Sequence, residues 1–187
     1  MLCNQYTLYP STNLLHESDK TIMGTACIHV YWIRFFIIST VADLDDSEAV
    51  TKRLLQNPKD FAVLHTPIYG MRTAGRFEEL FNQHLLIAAD LVHAAKNGEI
   101  QEADAARDKW YKNADEIARF LSSINRCWSK AKWQSMLYSH LEMTEKEATL
   151  RLQGNYTADI QVFDDIENEA FEMADYMFCG IIKKHLC

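Results

Sequence analysis

Three histidines and a glutamate stand where the pattern of the chain calls for apolar residues. His29, His84, His140 and Glu167 each fall inside a row of apolar side chains repeating at helical spacing, and Asn113 does the same on a further segment. Neutral imidazole suits divalent transition metals, and a carboxylate adds charge compensation. These four side chains are therefore a candidate ligand set for such an ion, with Fe, Zn, Mn and Ni not distinguished by it. Asn113 and Glu147 are placed to orient a ligand or a bound water from outside that set. Glu147 stands about 10 Å from His140 along the same helix, so a joint role needs a long reach. The same groups would also serve a small-molecule pocket, or a hydrogen-bonded network that only fixes helix register.

The spacing excludes several chemistries. There is no Glu-x-x-His pair of the kind dinuclear carboxylate bundles use, and no His-Glu-x-x-His zinc motif. A Gly-rich phosphate loop, a Gly-x-Ser-x-Gly elbow and a kinase signature are also absent. No catalytic set is legible, so whether the protein is an enzyme stays open. Arg34 and Arg151 are cations at the edges of apolar rows, best explained by carboxylate partners, for which Asp90 and Asp115 are candidates.

Long helices must position these residues. The segment Trp133 to Arg151 puts Trp133, Leu137, His140, Thr144 and Glu147 on one face. Helices are expected over about Thr21–Asp43, Thr73–Lys96, Ile100–Ile124, Ser129–Leu152 and Thr157–Lys184, with shorter ones at Ser47–Leu55 and after Pro58. Their rows carry His29; His84; Asn113; His140; and, in Ile160, Phe163, Glu167, Ala170, Ala174, Met177 and Ile181, the glutamate. Short connections imply antiparallel neighbours. The expected fold is all-α: an up-and-down antiparallel bundle of four to five long helices plus two short ones. Residues 1–20 read as a loose arm and 21–187 as a single domain. Counted from the turns, His84, Asn113, His140 and Glu167 lie within about 2 to 5 Å of one height, at a rise of about 1.5 Å per residue. A shared height is not expected of unrelated polar residues.

With 187 residues, 48% hydrophobic and 24% charged, the chain can build one substantial core. Six Gly and three Pro are too few for the turns of an all-β fold. A net charge of -7 disfavours nucleic acid, which calls for a basic face. Cys3, Cys27, Cys127, Cys179 and Cys187 have no metal-type spacing, and their odd number points to free thiols and a reducing compartment. The most apolar run, Ile28 to Val41, is broken by His29 and Arg34 and reads as too short to span a bilayer. The expectation is a cytoplasmic protein with no membrane or nucleic-acid partner, leaving a small ligand or self-association.

The chain resembles a family of small bacterial helical-bundle proteins without established function. The resemblance rests on H-V-Y-W-I-R at His29 to Arg34, R-L-L-Q-N-P-K-D at Arg53 to Asp60 and H-L-L-I-A-A-D-L-V at His84 to Val92. It continues through W-Y-K-N-A-D at Trp110 to Asp115, L-Y-S-H-L-E-M-T-E-K-E-A at Leu137 to Ala148 and E-M-A-D-Y-M at Glu172 to Met177. It implies a helical bundle and no particular chemistry. Labels such as acetylglutamate kinase or glycosyltransferase, which members of the family carry, require nucleotide-binding α/β architecture that this sequence lacks. Gln83 stands where the family tends to have Glu, and Arg126 where it tends to have Pro.

Overall fold

A computed structural model describes residues 12–184 of the chain, with side chains from Ile22 onward. Among the described residues the regular structure is helical throughout, in seven helices: α1 (Thr12–Val41), α2 (Ser47–Leu54), α3 (Asn57–Tyr69), α4 (Met71–Asn97), α5 (Ile100–Ile124), α6 (Lys130–Leu152) and α7 (Tyr156–Lys183). The boundaries follow local chemistry. Asn97-Gly98 ends α4, Gly98 taking the left-handed conformation (φ 74°) that costs glycine nothing. Ser129 caps α6 by accepting from the Lys132 amide, and Asn155 caps α7 by accepting from that of Ala158. α3 runs on past Pro67 to Tyr69. The residue four back, Val63, is exposed, so the carbonyl that Pro67 cannot answer sits on a wet face.

α1 starts at Thr12, so residues 12–20, expected to be loose, are helical; residues 1–11 lie outside the described residues. Thr12 to Met23 contains no Gly or Pro to interrupt it. Within α1, Ile22–Val41 spans 20 residues at a mean hydropathy of 1.5, long and apolar enough to cross a membrane by length and composition. That corrects the shorter run read from the sequence: helical continuity brings in Ile22 to Cys27. In the fold 44% of this segment is buried against the rest of the molecule.

α1 packs on α7, α7 on α6, α6 on α5, α5 on α4 and α4 on α3, and α3 returns to α1. The ring of helices encloses a core rich in large side chains, with Phe36, Leu80, Leu85, Leu121, Trp133, Leu141 and Phe178 almost fully buried. The loop before α6 locks onto the end of α7. Asn125 donates to the Gly180 carbonyl (2.8 Å), and Trp128 lies so close over Gly180 that a Cβ there would sit 1.8 Å from its indole nitrogen. Cys127 is disulfide-bonded, against the expectation of free thiols, while Cys27 is a free thiol.

Candidate functional site

The row on α6 folds as its spacing requires: Trp133, Leu137, His140, Thr144 and Glu147 are all buried. So are His29 on α1, His84 on α4 and Asn113 on α5. On α7 the expected row holds at Ala170, Ala174 and Met177, which are buried, but its first half is displaced by one residue. Asp159, Val162 and Ile166 are buried, while Ile160 is exposed and Phe163 and Glu167 are half-buried. Glu167 accepts a hydrogen bond from the Tyr31 hydroxyl on an exposed edge and does not join the histidines. The carboxylate that approaches them is Glu169, whose Oε2 lies 3.7 Å from His140 Nδ1.

His29, His84 and His140 line one cavity of about 90 Å³, together with Phe61, Phe81 and Trp133 among other apolar side chains. The His29 and His140 rings are 6.0 Å apart between centroids, and Phe81 contacts both His29 (4.9 Å) and His84 (6.2 Å). Each ring has its Nδ1 directed at a different neighbour. Asn57 Nδ2 lies 3.3 Å from Nδ1 of His29, and Asn113 Oδ1 lies 2.7 Å from Nδ1 of His84. His140 Nδ1 and Glu169 Oε2 face each other, both buried and with no closer hydrogen-bond partner. The cavity that the three rings line is almost wholly apolar.

The amide orientations decide where the ring hydrogens sit. Arg53 donates to Asn57 Oδ1 (3.1 Å), which turns the Asn57 NH₂ toward His29, so His29 Nδ1 accepts and its hydrogen is on Nε2. Asn113 Nδ2 donates to the Leu80 carbonyl (3.1 Å), which turns its oxygen to His84, so Nδ1–H donates and Nε2 keeps its lone pair. The Glu169 carboxylate, 3.7 Å from His140 Nδ1, lies beyond hydrogen-bond distance and does not set the tautomer of that ring. Burial pushes the His84 imidazole down to about 4, with the nearby His140 acting the same way and the Asn113 bond opposing it. Burial, then the neighbouring His140 and His84, hold His29 well below the usual histidine range. Both rings are uncharged near neutral pH.

Comparison with known proteins found no matching family model, no matching curated protein and no matching solved structure. The site therefore has to be read from its own geometry. Among the described residues, no three His, Cys, Asp or Glu side chains are grouped so as to hold a metal ion. Sequence reasoning missed Asn57 and Glu169. Asn57 had a weak signal, a polar residue in front of a helix-starting Pro58; Glu169 had none.

Glu147 belongs to a separate buried cluster. Arg34 donates to Glu147 Oε1 (2.6 Å) and to both oxygens of Asp159 (2.8 and 3.4 Å), and Arg151 reaches Asp159 Oδ2 (3.2 Å). These carboxylates, and neither Asp90 nor Asp115, answer the two arginines; Asp90 is exposed, and Asp115 accepts from Gln134 and Tyr138. Burial drives the Glu147 carboxyl up to about 7, with Arg34 pulling the other way.

Proposed function

We propose that this protein binds a small uncharged molecule in its core cavity, held by His29, His84 and His140. The observation that carries the reading is a set of three imidazoles on the wall of one otherwise apolar cavity, each with Nδ1 turned to a separate neighbour. A few placed polar groups in an apolar cavity is the usual composition of a small-ligand site. We place it in an up-and-down antiparallel arrangement of the long helices, in the cytoplasm. Self-association is compatible with this reading and plays no part in it.

A three-histidine metal site fits these residues less well. With Nε2 protonated, His29 has no lone pair to give unless Asn57 turns over and releases Arg53. Glu167 has its own partner at the surface. A specific observation favours a purely structural second reading: the Nδ1 partners couple α1 to α3, α4 to α5 and α6 to α7, which fixes register. Register alone does not require the three rings to line one cavity.

Xenon binding separates these readings, because xenon enters apolar cavities without needing any hydrogen bond. A saturable xenon site in solution, lost when Ala174→Leu fills the cavity wall, is the expected result. No saturable site would leave only the structural layer. Metal content is measured in parallel on protein purified without a histidine tag. Negligible metal is expected in the wild type and in His84→Ala and His140→Ala. Stoichiometric metal that falls in both variants would replace the neutral-ligand reading with a metal centre.

A further inference from the structure

We propose that the outer face of α1 is a contact surface for a second copy of this chain, the two helices running antiparallel across a twofold axis. This surface is separate from the cavity. α1 carries two rows at helical spacing. The inner one, with His29, Ile33, Phe36 and Ile37, is buried in the core. The outer one is Gly24, Ile28, Tyr31, Phe35 and Ile38, continued by Ala42, whose amide donates to the Ile38 carbonyl one residue past the helix. Its steps are four, three, four, three and four, the spacing of a seam between two helices. Ile28, Tyr31 and Phe35 are 42%, 39% and 46% exposed, so the middle of the row meets water and not another element of the fold. Phe163 of α7 touches Tyr31 (5.8 Å between ring centroids) and Trp32 touches Phe35 (5.4 Å), which widens the row into a patch. Gly24 is a second, separate sign. A Cβ there would have no atom within 4 Å, so nothing inside the chain calls for a glycine. Glycine weakens a helix relative to alanine, and close approach by another backbone is a standard reason to keep it.

Register, charge and area point to a second copy as the occupant. An antiparallel pair centred at the level of Ile33 sets Tyr31 opposite Phe35, Ile28 opposite Ile38 and Gly24 opposite Ala42, and the axis makes each pairing twice. Aromatic side chains then meet near the centre and the smallest residues meet at the ends. A parallel pair would instead stack the exposed Asp45, Asp46 and Glu48 after α1 on their own copies, a repulsion that the antiparallel pair avoids. The same acidic turn opposes an anionic lipid surface. Arg34, bonded to Glu147 and Asp159, ties α1 into the fold, so the helix is not free to leave it and cross a bilayer. The three exposed side chains offer roughly 300 Å² of apolar surface, a patch size that on a monomer often marks an interaction site. Standard interfaces bury about 800 Å² on each partner, so this row is the apolar centre of a small one and the dimer is expected in the micromolar range.

The test is sedimentation equilibrium of the full chain between about 1 and about 200 μM. A reversible monomer–dimer equilibrium is expected. Phe35→Lys is expected to weaken it by at least about a hundredfold, because the axis repeats the change. Leu86→Lys, which alters an exposed leucine on α4 outside the row, is expected to leave it unchanged. Gly24→Gln guards against a folding defect, since it adds bulk where the chain has open space. It is expected to weaken the dimer by at least about tenfold while the urea midpoint of the dilute monomer holds or rises. Direction is read from a charge exchange. Tyr31→Lys and Phe35→Glu should each abolish the dimer alone, and combined they should restore it, because the antiparallel pair sets the new cation against the new anion. A parallel pair would set like against like, so a combined variant that stays monomeric overturns the antiparallel register. A dimer that survives both Phe35→Lys and Gly24→Gln overturns the assignment of this face. A wild type that is monomeric throughout overturns the proposal as a whole, and its co-sedimentation with phosphatidylcholine vesicles would give the face to lipid.

Discussion

At the scale of single residues, the orienting side chains decide what the histidines can do. His84 and His29 look alike in the sequence, each a histidine in an apolar row, yet their Nδ1 atoms play opposite roles, one donating and one accepting. The difference lies in which end of an amide faces the ring, and that end is set by a third group: Leu80 carbonyl for Asn113, Arg53 for Asn57. Truncating Asn113 to Ala strands a buried His84 N–H and removes the donor to Leu80. Each buried group left unpaired costs about 1–3 kcal/mol. Asn113→Ala is therefore expected to lower unfolding free energy by about 2–4 kcal/mol in urea titration. Glu169→Gln is expected to stay within about 1 kcal/mol, since the 3.7 Å separation from His140 exceeds a hydrogen bond and an amide oxygen can still accept. Equal losses in the two variants would mean that the His140–Glu169 pair closes in solution.

At the scale of elements, α6 and α7 show how far a periodic pattern reaches. On α6 a single row satisfies the helical repeat, and all five residues placed on it from sequence are buried. On α7, Ile160, Phe163 and Glu167 compete with Asp159, Val162 and Ile166, one residue apart and similarly apolar. Pattern alone favours the row without an aspartate at its head. The fold takes the other, because Arg34 on α1 and Arg151 on α6 converge on Asp159 and turn that face inward. An interaction between distant segments thus overrules a local signal, and it moves Glu167 off the histidine layer. Asp159 should be the keystone of this packing: Asp159→Ala leaves two arginines facing one carboxylate, and loss of a partner in a buried pair costs about 3–5 kcal/mol. Glu147→Gln, which keeps an acceptor for Arg34, should cost clearly less, and urea midpoints would show the order. The contact of Trp128 on Gly180 gives a parallel test for the loop before α6. Gly180→Ala must displace the indole, and overpacking of this kind costs about 1–3 kcal/mol. Loss of Trp fluorescence shift on folding in that variant would locate the damage.

At the scale of the whole molecule, the buried titratable groups set opposing demands on pH. His84 falls from 6.5 unfolded to about 4 folded. Above pH 6.5 the ring is neutral in both states and folding is unopposed. As pH drops toward 4 the unfolded chain takes up the proton and the folded one does not, so stability is lost, by roughly 3 kcal/mol for such a shift. His29, also held low by burial, acts in the same direction. Glu147 acts in the opposite one: its folded carboxyl, raised to about 7, keeps its proton where the unfolded group loses it from 4.5 upward. Its contribution is therefore present below 4.5 and is lost as pH rises through 7. Between 4.5 and 6.5 two histidines oppose one glutamate, and below 4.5 the glutamate no longer changes while His84 still titrates. The expected outcome is a urea midpoint that falls between pH 6.5 and 4 and falls most steeply below 4.5. His84→Leu should flatten that acid limb, and Glu147→Gln should steepen it above 4.5. A wild-type midpoint that rises on acidification would show that the arginine cluster, rather than the histidine cavity, governs the acid response of the fold.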